Sequence, residues 1–242
     1  IMPSLVGSEM CIRDSNSATG VAELTPVQLA GTTVKRASLH NANEIARLGL
    51  CKGDHVFVEK GGEIIPKVTE VDLSLRKENA EEITFINNCP ECNTELVRKE
   101  GEAVHYCPNE EKCPPQIKGR IEHFIQRKAM NIDGLGPETI EQLFENELVS
   151  DPADLYTLTQ EQLITLERFG ERSVTKLLNG IEKSRQKATF ANVLYSLGIR
   201  FVGNTVSNKL TAHFLTIEAL SKAKFEESVS YTHLRAHETR HD

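Results

Sequence analysis

The chain has 242 residues, 39% hydrophobic and 26% charged, with a net charge of −7. That is an ordinary globular composition, enough for one large or two small cores. It contains no apolar run of membrane-spanning length, and Ile1–Met10 is too short and too polar for a secretory signal.

The two ends read as foreign to the rest. Residues 1–15 and 229–242 show no helical or strand period and resemble translated sequencing-adapter read-through. Both are left out of the expected fold, including His233, His237 and His241, whose spacing by four imitates a metal-binding helix face.

Residues 16–87 read as a small β domain. Apolar, β-branched segments at Val27–Val34, Val56–Val58 and Ile64–Val71 are broken by turns at Lys52-Gly53-Asp54 and Gly61-Gly62. A short helix interrupts them, with Asn41 as its cap, Glu44 completing a capping box and Gly49 as its stop. Short strands with one helix suit a five-stranded barrel of the oligonucleotide-binding (OB) type, although an SH3-like barrel has the same pattern.

Residues 88–115 hold Cys89, Cys92, Cys107 and Cys113 in a C-x2-C, C-x5-C arrangement. Four soft sulfur ligands at this spacing predict a closed, structural zinc site, with a Cys-Pro-Glu-Cys turn bringing the first pair to one ion. His105 lies close by, but four thiolates already complete a tetrahedron. Clustering of four of the six cysteines favours a metal over disulfides, and with it a reducing, cytoplasmic compartment. The stretch is too short for its own core, so the ion must supply its folding energy.

Residues 116–228 read as helical. Ile117, Ile121, Phe124 and Ile125 form one apolar stripe; Val174, Leu177, Leu178 and Ile181 form another; Thr159 with Gln162 marks a capping box. Three apolar–glycine pairs recur, Leu135-Gly136, Phe169-Gly170 and Val202-Gly203, each followed seven residues after the glycine by Leu143, Leu177 or Leu210. A glycine in a tight interhelical turn tolerates φ > 0 and admits a phosphate to the next helix N-terminus, the pattern of helix-hairpin-helix units. Between Leu166 and Leu210, eight Lys and Arg stand against three acids, a local +5 on an acidic chain. That excess favours a phosphate backbone as the ligand.

The string TPVQLAGTTVKRASLHNANEIARLGLCKGDHVFVEKGGEIIPKV, the four-cysteine cluster, and the strings RKAMNIDGLGPETIEQL and LYSLGIRFVGNTVSNKL resemble bacterial NAD-dependent DNA ligases. The resemblance implies a multi-domain α+β chain: an OB-type barrel, a four-cysteine zinc module and an all-α helix-hairpin-helix array, with three of four hairpins present. It implies the DNA-binding part of an enzyme that seals nicks in duplex DNA during replication and repair. The whole enzyme uses NAD and Mg2+ through enzyme–AMP and DNA–AMP intermediates. The implied setting is the bacterial cytoplasm, in association with the nucleoid, and the implied unit is a monomer on nicked double-stranded DNA, without membrane contact. The family's adenylated lysine sits in a Lys-x-Asp-Gly motif that this sequence lacks, Asn131-Ile132-Asp133-Gly134 being no match. The chain therefore reads as a fragment, inactive alone. Expected DNA contacts are Arg36, His40 and Lys60 in the barrel, and Gly134, Gly136, Arg168, Gly170, Arg172, Arg200 and Gly203 in the helical half. The competing reading is a stand-alone zinc-containing DNA-binding module of a repair protein.

Overall fold

The computed structural model describes residues 3–12, 17–29, 31–60 and 65–224. The expected turn at Gly61-Gly62 and the segment 229–242 lie outside them. The described chain forms two compact units, with the division between Ile117 and Lys118. No described helix is long and apolar enough to cross a membrane.

The first unit is built on strand β2 (Ser17–Leu29). Ala18, Gly20, Ala22 and Leu24 alternate inward, the period of a half-buried strand. The alternation ends at Pro26, which has no N–H for the ladder. The register against β3 (Thr32–Ser38) shifts there, between Glu23 and Val27, as a bulge accommodates the missing donor. β1 (Leu5–Ile12) covers the other edge of β2, from Leu5 opposite Leu24 to Ile12 opposite Ala18. β4 (His55–Glu59) pairs antiparallel with β5 (Lys67–Asp72), and β5 meets β3 in parallel at Ser38 and Lys67. A bridge from Ser4 to His55 and a 2.7 Å hydrogen bond from the Leu5 N–H to the Asp54 carbonyl join β1 to β4. The strands thus close in the ring β1-β2-β3-β5-β4, a five-stranded barrel.

Residues 1–15 were expected to stand outside this fold, yet Leu5–Ile12 supply the strand that closes it. The physical reason is the vacant edge of β2, which needs a backbone partner, and Leu5, which is fully buried in the barrel core. Helix α1 (Ala42–Leu48) follows β3 and buries Ile45. A Cβ on Gly20 would stand 3.0 Å from Ile45 Cδ1 and 3.2 Å from Leu39 Cβ, so glycine lets the helix lie close on the strand without displacing these side chains. Asn41 caps α1 by accepting from the N–H groups of Asn43 and Glu44, and Gly49 ends it at φ 52°. The expected capping box is only half made, because the Glu44 carboxylate pairs with Arg47.

Asp54 is buried beside α1. Its carboxylate accepts from the Cys51 N–H at 2.7 Å and from Arg76 through two nitrogens, at 2.9 and 2.7 Å. Arg76 also donates to the Gly49 carbonyl. One ion pair therefore ties the end of α1, the β4 approach and the chain beyond β5 together.

Helix α2 (Pro114–Ile125) crosses the division and leads, in the second unit, to α3 (Pro137–Glu145), α4 (Gln160–Leu163), α5 (Glu171–Lys187), α6 (Phe190–Ser196), α7 (Asn204–Phe214) and α8 (Ile217–Lys222). Leu143, Leu177 and Leu210, the repeat leucines, are all buried. On α5 the buried face is Val174, Leu177, Gly180, Ile181 and Ser184. Gly180 is there because the helix meets the backbone of Asp133: a Cβ would fall 2.5 Å from the Asp133 carbonyl oxygen.

Two outcomes follow for stability. Arg76→Ala strands a buried carboxylate and lowers unfolding free energy in urea by about 3 kcal/mol. Gly180→Ala forces α5 off the Asp133 turn and costs roughly 1–3 kcal/mol despite the better helix propensity of alanine; an unchanged midpoint would disprove the close approach.

Candidate metal centre and nucleic-acid interface

The metal centre is an extension of the barrel. Ala18 of β2 pairs with Ile12 on one edge and with His105 on the other. The short hairpin of β6 (Val97–Arg98) and β7 (His105–Tyr106) thus shares the β3 edge of β2, beyond the point where β3 ends. Ala18, Phe85 and Ile86 pack against the cysteines.

The first two ligands sit on a turn in which the Cys89 carbonyl accepts from Asn93, the Cys89 N–H donates to Thr94, and Asn93 takes φ 57°. Cys113 stands at the foot of α2, where its carbonyl accepts from Gln116 and Ile117. Gln116, itself buried, donates its side-chain amide to the Cys107 carbonyl.

The four Sγ atoms all lie within 4.8 Å of one another. Cys89 and Cys113 are 3.8 Å apart, Cys92 and Cys107 3.5 Å. A tetrahedral zinc with metal–sulfur bonds of ~2.3 Å needs sulfur–sulfur edges of about 3.8 Å, so the residues fit the ion. His105 is not in the cluster; its ring packs on Phe85 at 4.9 Å, and burial lowers its pKa.

Burial pushes Cys107 up to about 11 and also raises Cys113. For Cys92, burial again opposes ionisation, but hydrogen bonds from Thr94 and the neighbouring thiols outweigh it and bring the group down to about 6. Without a cation the Cys107 and Cys113 sulfurs hold protons that a metal must displace, so affinity falls as the pH drops.

The helical half shows a repeated turn. Gly136, Gly170 and Gly203 are the N-caps of α3, α5 and α7, and none of these helices has a side-chain cap. The helices α1, α4, α6 and α8, by contrast, are capped by Asn41, Thr159, Thr189 and Thr216. A Cβ on any of the three cap glycines would meet nothing within 4 Å. No cap side chain accepts from the first N–H groups of α3, α5 and α7, which lie at the positive end of the helix dipole.

The three cap glycines do not occupy the φ > 0 region expected of them. Their φ values are −133°, −97° and −78°, so they do not need the left-handed region. The positive φ falls two residues earlier in every hairpin, at Gly134 (98°), Arg168 (62°) and Phe201 (68°). Gly134 also packs against Leu177 Cα, 3.5 Å from where its Cβ would be.

Charge gathers around these turns unevenly. Arg172, Lys176 and Lys183 share one exposed face of α5 with Thr175 and Asn179, over a depression of about 610 Å3 that Asp133 and Gly180 also line. Arg168 borders a second depression, of about 250 Å3, with Glu138 and Thr139 of the first turn of α3. The first two hairpins are thus brought together; Arg200 and Gly203 line neither depression. In the barrel, Arg36 pairs with Glu9 at 3.1 Å and Glu23 at 3.5 Å, both pairs exposed. Lys60 donates to the Thr32 hydroxyl, and His40 is exposed at φ 56°.

A closed barrel carrying a four-thiolate metal module, followed by helix-hairpin-helix units, defines a zinc-finger protein of the OB-barrel class. Residues 15–80 match the NAD-dependent DNA ligase OB-fold domain, and residues 88–114 match the NAD-dependent DNA ligase C4 zinc finger domain. Residues 127–183 match a SAM-like helix-hairpin-helix tandem, and 192–230 a helix-hairpin-helix motif. The chain belongs to the NAD-dependent DNA ligase family. It is 60% identical over 223 residues to a DNA ligase of Cytophaga hutchinsonii, covering 92% of this chain and 33% of that protein. It is 56% identical over 215 residues to a DNA ligase of Flavobacterium johnsoniae, covering 89% of this chain and 32% of that protein. The chain spans about a third of the length of the curated relatives it matches.

Cys107→Ser removes one of four ligands. Zinc content measured on the purified chain should fall from near stoichiometric to a small fraction; an unchanged metal content would exclude Cys107 from the site.

Proposed function

We propose that this chain is the DNA-holding part of an NAD-dependent DNA ligase, and that its partner is nicked double-stranded DNA. The observation that carries the reading is the contrast in capping. Four helices spend a side chain on their N-terminal N–H groups, whereas the three that follow the repeated glycine turns do not. Open N–H groups, no Cβ in the way and a local excess of cations together suit a phosphate oxygen.

On this reading Gly136, Gly170 and Gly203 admit phosphates to the helix ends, and Gly134 shapes the first turn. Arg168, Arg172 and Arg200 add charge beside them. Contacts of this kind hold backbone rather than read sequence, so binding is weakly sequence-dependent and strongly salt-dependent. Arg36, His40 and Lys60 extend the contact onto the barrel, where Arg36 must exchange its exposed pairs with Glu9 and Glu23 for phosphate. Such exposed pairs are worth little, so the exchange costs little.

Zinc held by Cys89, Cys92, Cys107 and Cys113 supplies folding energy to the module on β2 and takes no part in the chemistry. In the whole enzyme, NAD provides AMP and Mg2+ neutralises phosphate charge. This sequence has no Lys-x-Asp-Gly lysine to receive AMP, so the chain incubated with NAD should show no added AMP by mass spectrometry. We place its action in the bacterial cytoplasm at the nucleoid, as a monomer.

Gly170→Asp tests the central claim. Its φ of −97° is open to any residue and its Cβ meets nothing, so aspartate can cap α5 and keep or raise the melting temperature. It also puts a carboxylate where the phosphate is proposed to sit. Affinity for nicked duplex by fluorescence anisotropy should drop roughly ten- to a hundredfold, the loss of one hydrogen bond to a charged group. Equal affinity with equal stability would mean that these helix ends do not hold DNA.

A further inference from the structure

Two residues ahead of each cap glycine the chain passes through positive φ, and the three hairpins place different side chains there. The first has Gly134, which has none. The second has Arg168, which fits a phosphate site. The third has Phe201, an aromatic residue in a backbone region that disfavours bulky side chains. Its ring is turned out of the protein, 87% exposed, the highest value among the described large apolar residues that face solvent.

The core does not account for this ring. Leu194, Leu210 and Phe214 form the local core, and it is the next residue, Val202, that packs against them. Val202 turning in would allow residue 201 to be any polar group. Instead, Leu197 and Ile199 on the same turn are also exposed, at 56% and 48%. The Arg200 guanidinium lies over the Phe201 ring, 4.9 Å from its centroid, which steadies the ring and adds positive charge to the tip. An exposed aromatic held on a strained turn is a feature that costs stability and is kept where it meets a ligand.

Building on the DNA reading above, we infer that Phe201 is an apolar contact residue that seats against the deoxyribose and base edges of the minor groove of duplex DNA. The placement follows from its distance along the chain to the helix end. Gly203, the cap of α7, is two residues on, so the Cα atoms of Phe201 and Gly203 lie within about 7 Å of each other and the ring projects beside a phosphate held there. On a duplex the apolar surface beside a phosphate is the sugar and base edge lining the minor groove, where proteins insert Phe, Leu and Ile. The positive charge of Arg200 and of the α7 dipole matches the polyanionic duplex and is unsuited to a basic or purely apolar protein partner. Phe201 makes no phosphate contact, so it contributes affinity without contributing to the salt dependence.

Three variants of the zinc-loaded full chain test this: Phe201→Ala, Phe201→Gly and Arg172→Ala. Affinity for nicked duplex is measured over a range of salt, together with hydroxyl-radical footprinting, which reports access to minor-groove sugars. Phe201→Ala should bind roughly five- to a hundredfold more weakly, the range for loss of an aromatic–base contact, with the slope against log salt unchanged. It should expose one patch of sugars that the wild type protects and leave the other patches protected. Phe201→Gly, which relieves the positive φ, should melt no lower than the wild type and bind as weakly as Phe201→Ala. Arg172→Ala should lower the slope by about one. If Arg172→Ala weakens binding while both Phe201 variants match the wild type in affinity and footprint, the Phe201 contact is wrong and the DNA reading stands. If the wild type fails to bind duplex at low salt, both are wrong.

Discussion

Four sulfurs packed within 4.8 Å of one another, three of them buried, cannot share that space as thiolates without a cation. As thiols they make weak hydrogen bonds, and burial holds Cys107 at about 11. A dipositive ion resolves this by replacing mutual repulsion with four metal–sulfur bonds, and the energy it provides is on the order of 10 kcal/mol. Much of the first unit rests on that bond set. The segment between Asn88 and Cys113 has two two-residue strands and few buried side chains beyond the cysteines and Leu96. Its register on β2, Ser17 with Tyr106 and Ala18 with His105, is only two residues long. A ladder so short does not hold by itself; the ion fixes the turns from which it grows. The foot of α2 is set in the same place, since the Cys113 carbonyl accepts the N–H groups of its first turn.

The helical half obeys a different rule, in which what is left unsatisfied matters more than what is bonded. Helices α4 and α6 close their N-termini with reciprocal capping boxes from Thr159–Gln162 and Thr189–Asn192. Helices α3, α5 and α7 begin with glycine and leave those groups open. Had every helix lacked a cap, the pattern would say nothing. Because short helices of the same unit carry caps and the long α5 does not, the open ends mark one side of each hairpin. The internal packing is equally uneven: α5 drives into the first hairpin at Gly180, while the third hairpin has its own small core of Leu194, Leu210 and Phe214.

Much of this was legible beforehand because it depends on local rules. Asn41, Thr159 and Gly49 act as caps and stop because the backbone groups they satisfy are within a turn of them. The four cysteines declared themselves by number and spacing. The repeat was visible through glycine and leucine, and its leucines are buried. Where local reasoning failed, a distant partner decided. Glu44 had the sequence position of a capping-box residue, but Arg47 took its carboxylate. Residues 1–15 carried no strand period, but the open edge of β2 made Leu5–Ile12 a strand. Positive φ occurs in the expected turns but not at the cap glycines, because the bend is made two positions before the cap. Gly180 gave no signal at all: within a helical pattern a glycine reads as a mild defect, and only the Asp133 carbonyl opposite gives it a purpose.

The sequence alone marked the four-cysteine cluster, the caps at Asn41 and Thr159, the repeat and the family, since each is written in residue type and spacing over short distances. The tertiary structure decided which edge the metal hairpin occupies, how the barrel closes, which cations share a face and which way Phe201 points. Those outcomes turn on backbone groups and side chains brought together from far apart in the chain. Their energies come from pairing and burial that no single segment contains.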